Sequence, residues 1–456
     1  MQSFAAPPAR FAMLLTGLAV LVAWISPPGA EAQVVAARRM GMGGVVLSHG
    51  GEGSAQNIAY RAVPRGTNPT SLPVPLGLVQ YAVDPPVFNV NDPDFNALEL
   101  ANDLLNPPWH LQLYEPSTPS SDVLIEISRN SLVFDLDDLQ RAIPNESMEH
   151  GGVLRFPGLH LSLGPAFLGV NSYSQVGHTM KLDPEFHAAL VDASPFVGGR
   201  RYSAEDAGQA QAFLSFNAGA AVPIVSPPED TPYESDAFAL YGGGRVKYLR
   251  GIGYLDAHNV AGFTTNDTLF GADPVDVDFN GIARYTGTDD LFSGSGYGLD
   301  LGAVMFYKRF EFGLGFNDLV HQVTWTVDVD SFRFNPILND IETIPVAENL
   351  KIDGSFPITW NASVAYRPRH WTLAASAVKN VGTPSLHLGA ERWLGIWAVR
   401  AGSTLDSRQL VQFSAGTGVH LGPVGVDLGF ATHSRTITEQ RGLEMGMSFV
   451  LYGGGK

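Results

Sequence analysis

A short run of oxygen-bearing side chains matches the first half of a calcium-binding loop. Asp276, Asp278 and Asn280 alternate along the chain and are followed by Gly281, as in loops whose carboxylate and amide oxygens bind Ca²⁺. The last ligand position of such a loop would fall on Gly287, so the bidentate glutamate is missing. We expect an acidic, solvated outer loop here, with calcium binding as the alternative.

Other patterns that carry chemistry are missing from the sequence. There is no Gly-x-Ser-x-Gly motif, and the twelve histidines do not form metal-binding pairs at helical spacing. Glycine-rich runs such as that at Gly242 fail the third glycine of a dinucleotide-binding loop. The chain has no cysteine, which excludes disulfides and thiolate sites. We expect a protein that is not an enzyme and needs no cofactor other than the calcium considered above.

Charged residues recur at positions that alternate with apolar ones. The stretch from Gly298 to Asp318 has one apolar face, which includes Leu299 and Leu301, and an opposite face of glycine and charge, which includes Asp300. Alternation with period two predicts β-strands. The charges that we place on the second face are Arg245, Lys247, Asp300, Glu311, Arg367, Arg400 and Asp427.

The same alternation continues from about Gly151 to the end of the chain. It predicts thirteen strands, at 153–163, 166–176, 211–222, 238–249, 297–307, 310–320, 358–367, 370–379, 384–392, 396–404, 410–421, 424–433 and 442–452. Very short turns alternate with longer, acidic connections such as 250–295 and 320–356. An antiparallel barrel closes with an even number of strands, so we expect about 14, with 12 or 16 as alternatives. The missing strand would lie near 122–135 or 44–49.

Two architectures could use such strands. In a soluble sandwich the glycine-rich face would meet water, although glycine weakens strands. In a transmembrane barrel the apolar face meets lipid and the polar face lines the lumen, and the sheet must close because hydrocarbon cannot satisfy free backbone groups. Charged residues make up only 16% of the chain, compared with about 25% in soluble domains. We therefore predict an all-β membrane protein, a closed antiparallel transmembrane β-barrel, over residues 151–456.

The first third of the chain has a different composition. Residues 1–32 have the three-part form of a signal peptide, with Arg10, an apolar run and the small residues Ala30 and Ala32 before the cleavage point; a membrane anchor is the alternative. Residues 33–150 are rich in proline and include two short helical patterns, Phe95–Leu105 and Leu136–Ile143. We predict that 33–150 forms a plug in the lumen, a periplasmic cap or a loose strand layer.

Several segments resemble one family of barrels. The segments are Arg38–Gly51 ("RRMGMGGVVLSHGG"), Gly242–Ala257 ("GGGRVKYLRGIGYLDA") and the hairpin 294–325 ("GSGYGLDLGAVMF" and "FNDLVHQVTW"). In this order they are similar to the FadL/PorV-like outer-membrane β-barrel superfamily, which includes fatty-acid channels and PorV-type secretion proteins. The family's Asn-Pro-Ala-Gly element is replaced here by Asn68-Pro69-Thr70-Ser71.

The resemblance implies passive, porin-like passage of a small hydrophobic molecule across the outer membrane of a Gram-negative envelope. Ligand-binding groups in the lumen would then be Val304, Phe306, Phe95, Leu98 and Leu100. A PorV-like binding or assembly role for a secreted or surface partner, and a purely structural surface barrel, are the alternatives. Outer-membrane lipid and lipopolysaccharide are the expected surroundings, and calcium at Asp276 would stiffen the outer loops or bridge the lipopolysaccharide. The net charge of -17 makes nucleic acid an unsuitable partner.

Overall fold

The chain is described by a computed structural model over most of its second half and parts of its first. The described residues are 36–48, 53–64, 69–74, 108–109, 125–128, 131–134, 146–191, 194, 196–226, 238–266, 275–287, 292–337, 340–380, 384–405, 411–432 and 443–452. The predicted signal peptide and the predicted helices Phe95–Leu105 and Leu136–Ile143 lie outside them, as do Phe95, Leu98 and Leu100.

Strands make up nearly all of the described chain. They are β1 (Pro69–Val74), β2 (Pro108–Trp109), β3 (Ile125–Ser128), β4 (Ser131–Phe134), β5 (Ser147–Leu163), β6 (Ala166–Leu182), β7 (Arg201–Val225), β8 (Ala239–Thr265), β9 (Val275–Tyr285), β10 (Gly294–Tyr307), β11 (Phe310–Asn335), β12 (Asp340–Gly354), β13 (Thr359–Tyr366), β14 (Trp371–Lys379), β15 (Ser385–Leu394), β16 (Trp397–Leu405), β17 (Val411–Leu421), β18 (Val424–Thr432) and β19 (Leu443–Tyr452).

Helices are few and short. They are α1 (Ala37–Gly41), α2 (Gly53–Gln56), a 3₁₀ helix (Ile58–Ala62) and α3 (Pro184–Val191). Within the described ranges, no helix is both long enough and apolar enough to span a bilayer.

One antiparallel sheet contains seventeen of the described strands, and β3 pairs with β4 in a separate hairpin. Neighbours in sequence pair from β5 to β8 and from β13 to β19. Between these runs, β8 pairs with β10 along its N-terminal half (239–251) and with β9 along its C-terminal half (255–265). In the same way β11 pairs with β12 and with β13. The edge of β19 opposite β18 pairs with β1 and β2, whereas β5 pairs only with β6 among the described strands.

The two faces of the sheet are inverted relative to a soluble protein. Leu301 and Leu314 are 40% and 44% exposed, while Asp300 and Glu311, which alternate with such residues on the same two strands, are 0% and 1% exposed. Exposed leucine, valine and aromatic side chains recur in this way along β6–β8, β10, β11 and β13–β19. Lipid stabilises such a surface and water does not. The predicted all-β membrane fold of outer-membrane type, with its alternation and phase, is confirmed.

The thirteen predicted strands are all present, but the predicted position of the additional one was wrong. Residues 125–128 and 131–134 belong to the separate hairpin, and residues 44–48 are not a strand. The strand next to β19 is instead β1, within the segment predicted as a plug. Its Pro69 and Pro73 concealed it, because proline is read as evidence against a strand and is tolerated only at edges.

The prediction of long loops at 250–295 and 320–356 was also largely wrong, since these segments contain β9, β12 and the C-terminal halves of β8 and β11. Strands β7, β8 and β11 have 25 to 27 residues, whereas β13 and β14 have eight and nine. A bilayer needs about 9–11 residues per strand. The wall from β5 to β12 therefore rises far beyond the membrane, and the wall from β13 to β19 does not.

The exposed apolar face can be tested by placing a charge on it. Leu314→Arg puts a cation into lipid and should lower the free energy of unfolding in lipid or detergent by about 2–4 kcal/mol. Leu350→Arg is the matched control, because Leu350 is equally exposed at 44% but lies on β12 above the bilayer. Denaturant titration of the refolded barrel would measure both, and equal losses would contradict a lipid-facing Leu314.

Candidate functional site

An inner segment, residues 36–48 and 53–64, lies against the polar face of the sheet. It includes α1, α2 and the 3₁₀ helix, and it touches strands around nearly the whole sheet. Arg61 donates a hydrogen bond to Ser162 of β5 (3.1 Å), Tyr60 bonds Ser363 of β13 (2.9 Å), and the Ala37 amide donates to Ser448 of β19 (2.8 Å). A segment this short can reach β5, β13 and β19 only because the sheet wraps round it. Its role as the predicted plug or cap stays a prediction.

Glycines allow the inner segment to approach the wall at backbone distance. A Cβ at Gly315 would lie 2.5 Å from the Gln56 carbonyl oxygen, and one at Gly416 would lie 3.0 Å from the Cα of Gly41. The glycines in this position on β8, β10, β11 and β15–β19 form what we call the glycine belt: Gly243, Gly302, Gly313, Gly315, Gly389, Gly402, Gly416, Gly429 and Gly446. At most of these positions, a side chain of any size would displace the inner segment.

Charged side chains fix the start of the inner segment. Arg38 donates two hydrogen bonds of 2.8 Å to Glu391, whose carboxylate also accepts from Arg400 at 2.7 Å. Arg400 reaches on to Asp427 at 2.8 Å, and His420 bonds the same carboxylate at 2.9 Å. We call these five residues the anchor cluster. Buried charges are costly unless paired, so this arrangement holds α1 to β15–β18.

A second set of contacts fixes the end of the 36–48 run. Glu311 accepts a hydrogen bond from the Ser48 amide at 2.8 Å and pairs with Arg367. The Gly43 carbonyl accepts from Thr404 at 2.8 Å and contacts the His387 ring nitrogen at 2.7 Å. The inner segment is therefore bound by charge and by hydrogen bonds to several strands.

The remaining predicted lumen charges meet on β8, β10 and β11. Arg245 donates to Asp300 at 2.6 Å, and Lys247 bridges Asp300 at 2.8 Å and Asp318 at 2.5 Å. His321 lies 3.4 Å from Asp318. We call these five residues the wall cluster. Arg245, Lys247 and Asp300 complete the seven predicted lumen charges, all of which lie on the inner face in ion pairs.

The wall cluster surrounds an irregularity in the barrel wall. Leu299 pairs with Val320 but Leu301 pairs with Phe316, so residues 317–319 of β11 face Asp300 alone. On the other side of β11, described pairing stops at Asn317 and resumes at Val323. Asp318 has a positive φ of 56° and its amide donates to Asp300 at 2.8 Å. We call residues 317–322 the wall interruption.

Aromatic side chains lie on the inner face directly beyond the wall interruption. Trp325 is fully buried, with ring centroids 5.2 Å from Tyr254 and 5.5 Å from Phe213. The inner aromatic cluster consists of Val153, Tyr173, Phe213, Leu249, Tyr254, Val323, Trp325, Val327 and Val329. Within the described chain, both side-chain amide atoms of Gln211 and the Trp325 indole nitrogen are buried without a hydrogen-bond partner. Such groups beside an apolar surface are typical of a binding site.

The predicted ligand residues are placed differently from the inner aromatic cluster. Val304 and Phe306 are each 1% exposed and pack with Tyr60, Val46 and Tyr241. They contact the inner segment near the short-turn end, because β10 runs toward its turn there. As ligand contacts they stay a prediction, and the other three lie outside the described residues.

The calcium motif lies in β9 rather than in a loop. Neighbouring alternate residues of a strand are about 7 Å apart, too far to share one ion easily, and Asp278 pairs with Arg201 at 2.6 Å. No group of three or more metal-binding side chains occurs among the described residues. Tyr285 also lies in β9, in the part of the wall that rises beyond the membrane. Burial and a hydrogen bond to Asp330 raise the pKa of its phenol.

Sequence reasoning missed Arg38, Asp318, Trp325, Glu391 and His420 as site residues. Glu391 lies in phase with the inner face of β15, between the outward Ala390 and Arg392, so alternation could have identified it. Asp318 gives no such signal, because the irregular backbone of the wall interruption breaks the alternation.

Comparisons with known proteins add distant structural likenesses. No protein-family model matches the sequence, and no curated protein sequence matches it. The toluene transporter TodX of P. putida is similar at 11% identity, with 68% of this chain and 82% of that chain covered and a TM-score of 0.32. The toluene transporter TbuX of Ralstonia pickettii is similar at 12% identity, with 63% of this chain and 82% of that chain covered and a TM-score of 0.28. A mutant of the Rh. blastica porin is similar at 8% identity, with 62% of this chain and 100% of that chain covered and a TM-score of 0.20.

The glycine belt predicts a position-dependent effect of a single methyl group. Gly402→Ala should clash with the inner segment at Gly43 and destabilise the barrel by about 1–3 kcal/mol. It should also increase tryptic cleavage after Arg38 and Arg39. Gly253→Ala is the control, since no atom lies within 4 Å of a Cβ there. Equal stability and equal protease resistance of the two variants would contradict the belt.

The anchor cluster predicts a large cost for losing its central cation. Arg400→Met removes the cation shared by Glu391 and Asp427, and breaking a buried pair costs about 3–5 kcal/mol. Arg201→Met is the comparison, because the Arg201–Asp278 pair is exposed (51% and 38%) and should cost at most about 1 kcal/mol. Denaturant unfolding measures both; similar small losses would show that the anchor cluster contributes little.

Proposed function

We propose that this protein is an outer-membrane channel for small hydrophobic molecules. The observation that carries the proposal is the inner aromatic cluster, a group of apolar side chains on the inner face of the sheet and next to the wall interruption. A hydrophobic molecule would enter from the long-strand side, rest on this cluster and leave sideways through the wall. No cofactor or catalytic step is part of this proposal.

The chemistry of the cluster favours an apolar ligand. Tyr173, Phe213, Tyr254 and Trp325 offer ring faces and edges, and Leu249, Val323 and Val327 offer aliphatic surface. Apolar area removed from water contributes about 25 cal/mol per Å², so a small ring compound would gain affinity by replacing contact with water. Gln211 adds a hydrogen-bond donor and an acceptor for a ligand that carries a polar group.

The inner segment favours a sideways exit. It contacts the glycine belt at backbone distance and is held by the anchor cluster, so the lumen toward the short turns is occupied. The wall interruption begins at Asn317, the seventh residue after Phe310. At about 3.3 Å per residue and a tilt of about 45°, this is roughly 16 Å into the apolar band. Residues 318 and 319, which have no described ladder partner on either side of β11, separate the lumen from lipid there.

A partner-binding role is the second candidate, and the tall wall supports it. On β12 the side chains of Ile344, Val346 and Leu350 are 38%, 58% and 44% exposed at the end that projects from the membrane. A secreted or surface protein could contact this wall. Stable capture of such a partner without any transfer of hydrophobic molecules would favour this candidate over the channel.

Removing the wall interruption tests the channel. Deleting Asp318 and Leu319 leaves one residue facing Asp300, restores a regular ladder, and should reduce transfer of a radiolabelled aromatic hydrocarbon into proteoliposomes at least tenfold. Trp325→Ala should also slow transfer, by a smaller factor, with the wall unchanged.

Two controls make the result specific. Glucose should not cross wild-type proteoliposomes in a swelling assay, because the inner segment fills the lumen. Heat-modifiable migration in SDS gels would show that the deletion variant still forms a barrel. A folded deletion variant with undiminished transfer would contradict the sideways exit, and wild-type transfer equal to empty liposomes would contradict the channel.

A further inference from the structure

Basic residues gather at the short-turn end of β10–β15, although the chain carries a net charge of -17. We name five of them the basic rim: Lys308, Arg309, Arg369, His370 and Arg392, all of which are exposed. Glu311 and Glu391, the acidic residues nearest these turns in sequence, are buried on the inner face and paired with Arg367 and Arg38. The outer side of this rim is therefore positive.

Backbone hydrogen bonds make the three turns one continuous surface. The Arg367 amide donates to the Arg309 carbonyl at 2.9 Å, which joins the β10–β11 turn to the β13–β14 turn. The Trp393 amide donates to the His370 carbonyl at 2.9 Å, which joins that turn to β15. Within the described residues, no member of the basic rim forms an ion pair with a carboxylate.

Aromatic rings hold the cations at the edge of the apolar surface. The Arg392 guanidinium lies 5.0 Å from the centre of the Trp371 ring, and the Lys308 ammonium lies 5.3 Å from that of Tyr307. Trp371 and Tyr307 are 41% and 48% exposed on the lipid-facing side. Exposed aromatics of this kind mark the level of lipid headgroups in outer-membrane barrels.

The turn backbones supply an independent observation. In the turns at 164, 395 and 422 the residue with positive φ is glycine, with φ of 63°, 65° and 61°. In the β10–β11 and β13–β14 turns the residues with positive φ are Lys308 (55°) and Arg369 (48°). A side chain is strained in this conformation and glycine is not. The strained positions in this set of turns are thus the ones that carry a cation.

We propose that the basic rim binds the phosphate of an anionic phospholipid in the leaflet at the short-turn end. Arginine and lysine recognise phosphate by charge-assisted hydrogen bonds, and the flanking aromatics place the cations at headgroup depth. The strain at Lys308 and Arg369 is retained because glycine, which would relieve it, has no cationic side chain to pair with phosphate.

A lipid titration of the purified protein in detergent tests this proposal. Native mass spectrometry would compare the affinity for phosphatidylglycerol with that for phosphatidylcholine of the same chains. Wild type should prefer phosphatidylglycerol, and Lys308→Gly combined with Arg369→Gly should reduce that preference by about fivefold per cation removed. The same double variant should unfold no more easily than wild type, because glycine is unstrained at both positions. Lys351→Ser, a charge loss on the projecting β12, should leave the preference unchanged.

Further arms separate lipid from other sources of phosphate and from folding defects. Millimolar inorganic phosphate should not displace phosphatidylglycerol; displacement would overturn the lipid assignment in favour of a free-phosphate site. Arg309→Ser with Arg392→Ser provides a second variant pair with the strained residues intact, and it should also lose preference. A wild type without preference, or double variants that retain it, would overturn the proposal.

Discussion

Close contact between the backbone of the inner segment and the glycine belt determines what the inside of this barrel can do. Because the wall carries hydrogen in place of side chains at the belt, the segment lies directly on the inner face of the strands. The same contact explains the composition of the strands, whose inner face is glycine-rich although glycine disfavours strands. The outer face is left to meet lipid.

The interior is divided by charge into parts with different roles. The anchor cluster joins Arg38 of the inner segment to β15–β18, while the wall cluster involves strand residues only and supports an irregular stretch of backbone. Asp300 satisfies the amide of Asp318, which would otherwise lack a ladder partner. Beyond the wall cluster the lumen surface becomes aromatic. The inner segment therefore lies on the short-turn side of the wall cluster, and the inner aromatic cluster lies on its long-strand side, beyond the interrupted wall.

Much of this fold could be predicted from alternation alone, since period-two patterns placed thirteen strands and the inward phase of residues such as Asp300, Glu311 and Arg400. Prediction failed where tertiary contacts override local preference. Strand β12 contains Pro345 and several acidic residues, yet the long ladder of β11 orders it. The position of Trp325 against Tyr254 also depends on strands that pair only in the folded chain. The anchor role of Arg38 required knowledge of where the inner segment lies.

Anomalous diffraction from crystals soaked in bromobenzene would show whether the inner aromatic cluster binds a small apolar molecule, because the bromine atom reports the position of that molecule. We expect a bromine peak against Trp325 and Phe213, on the long-strand side of the wall cluster. A peak between the inner segment and the belt, or no peak inside the barrel at saturating bromobenzene, would contradict it.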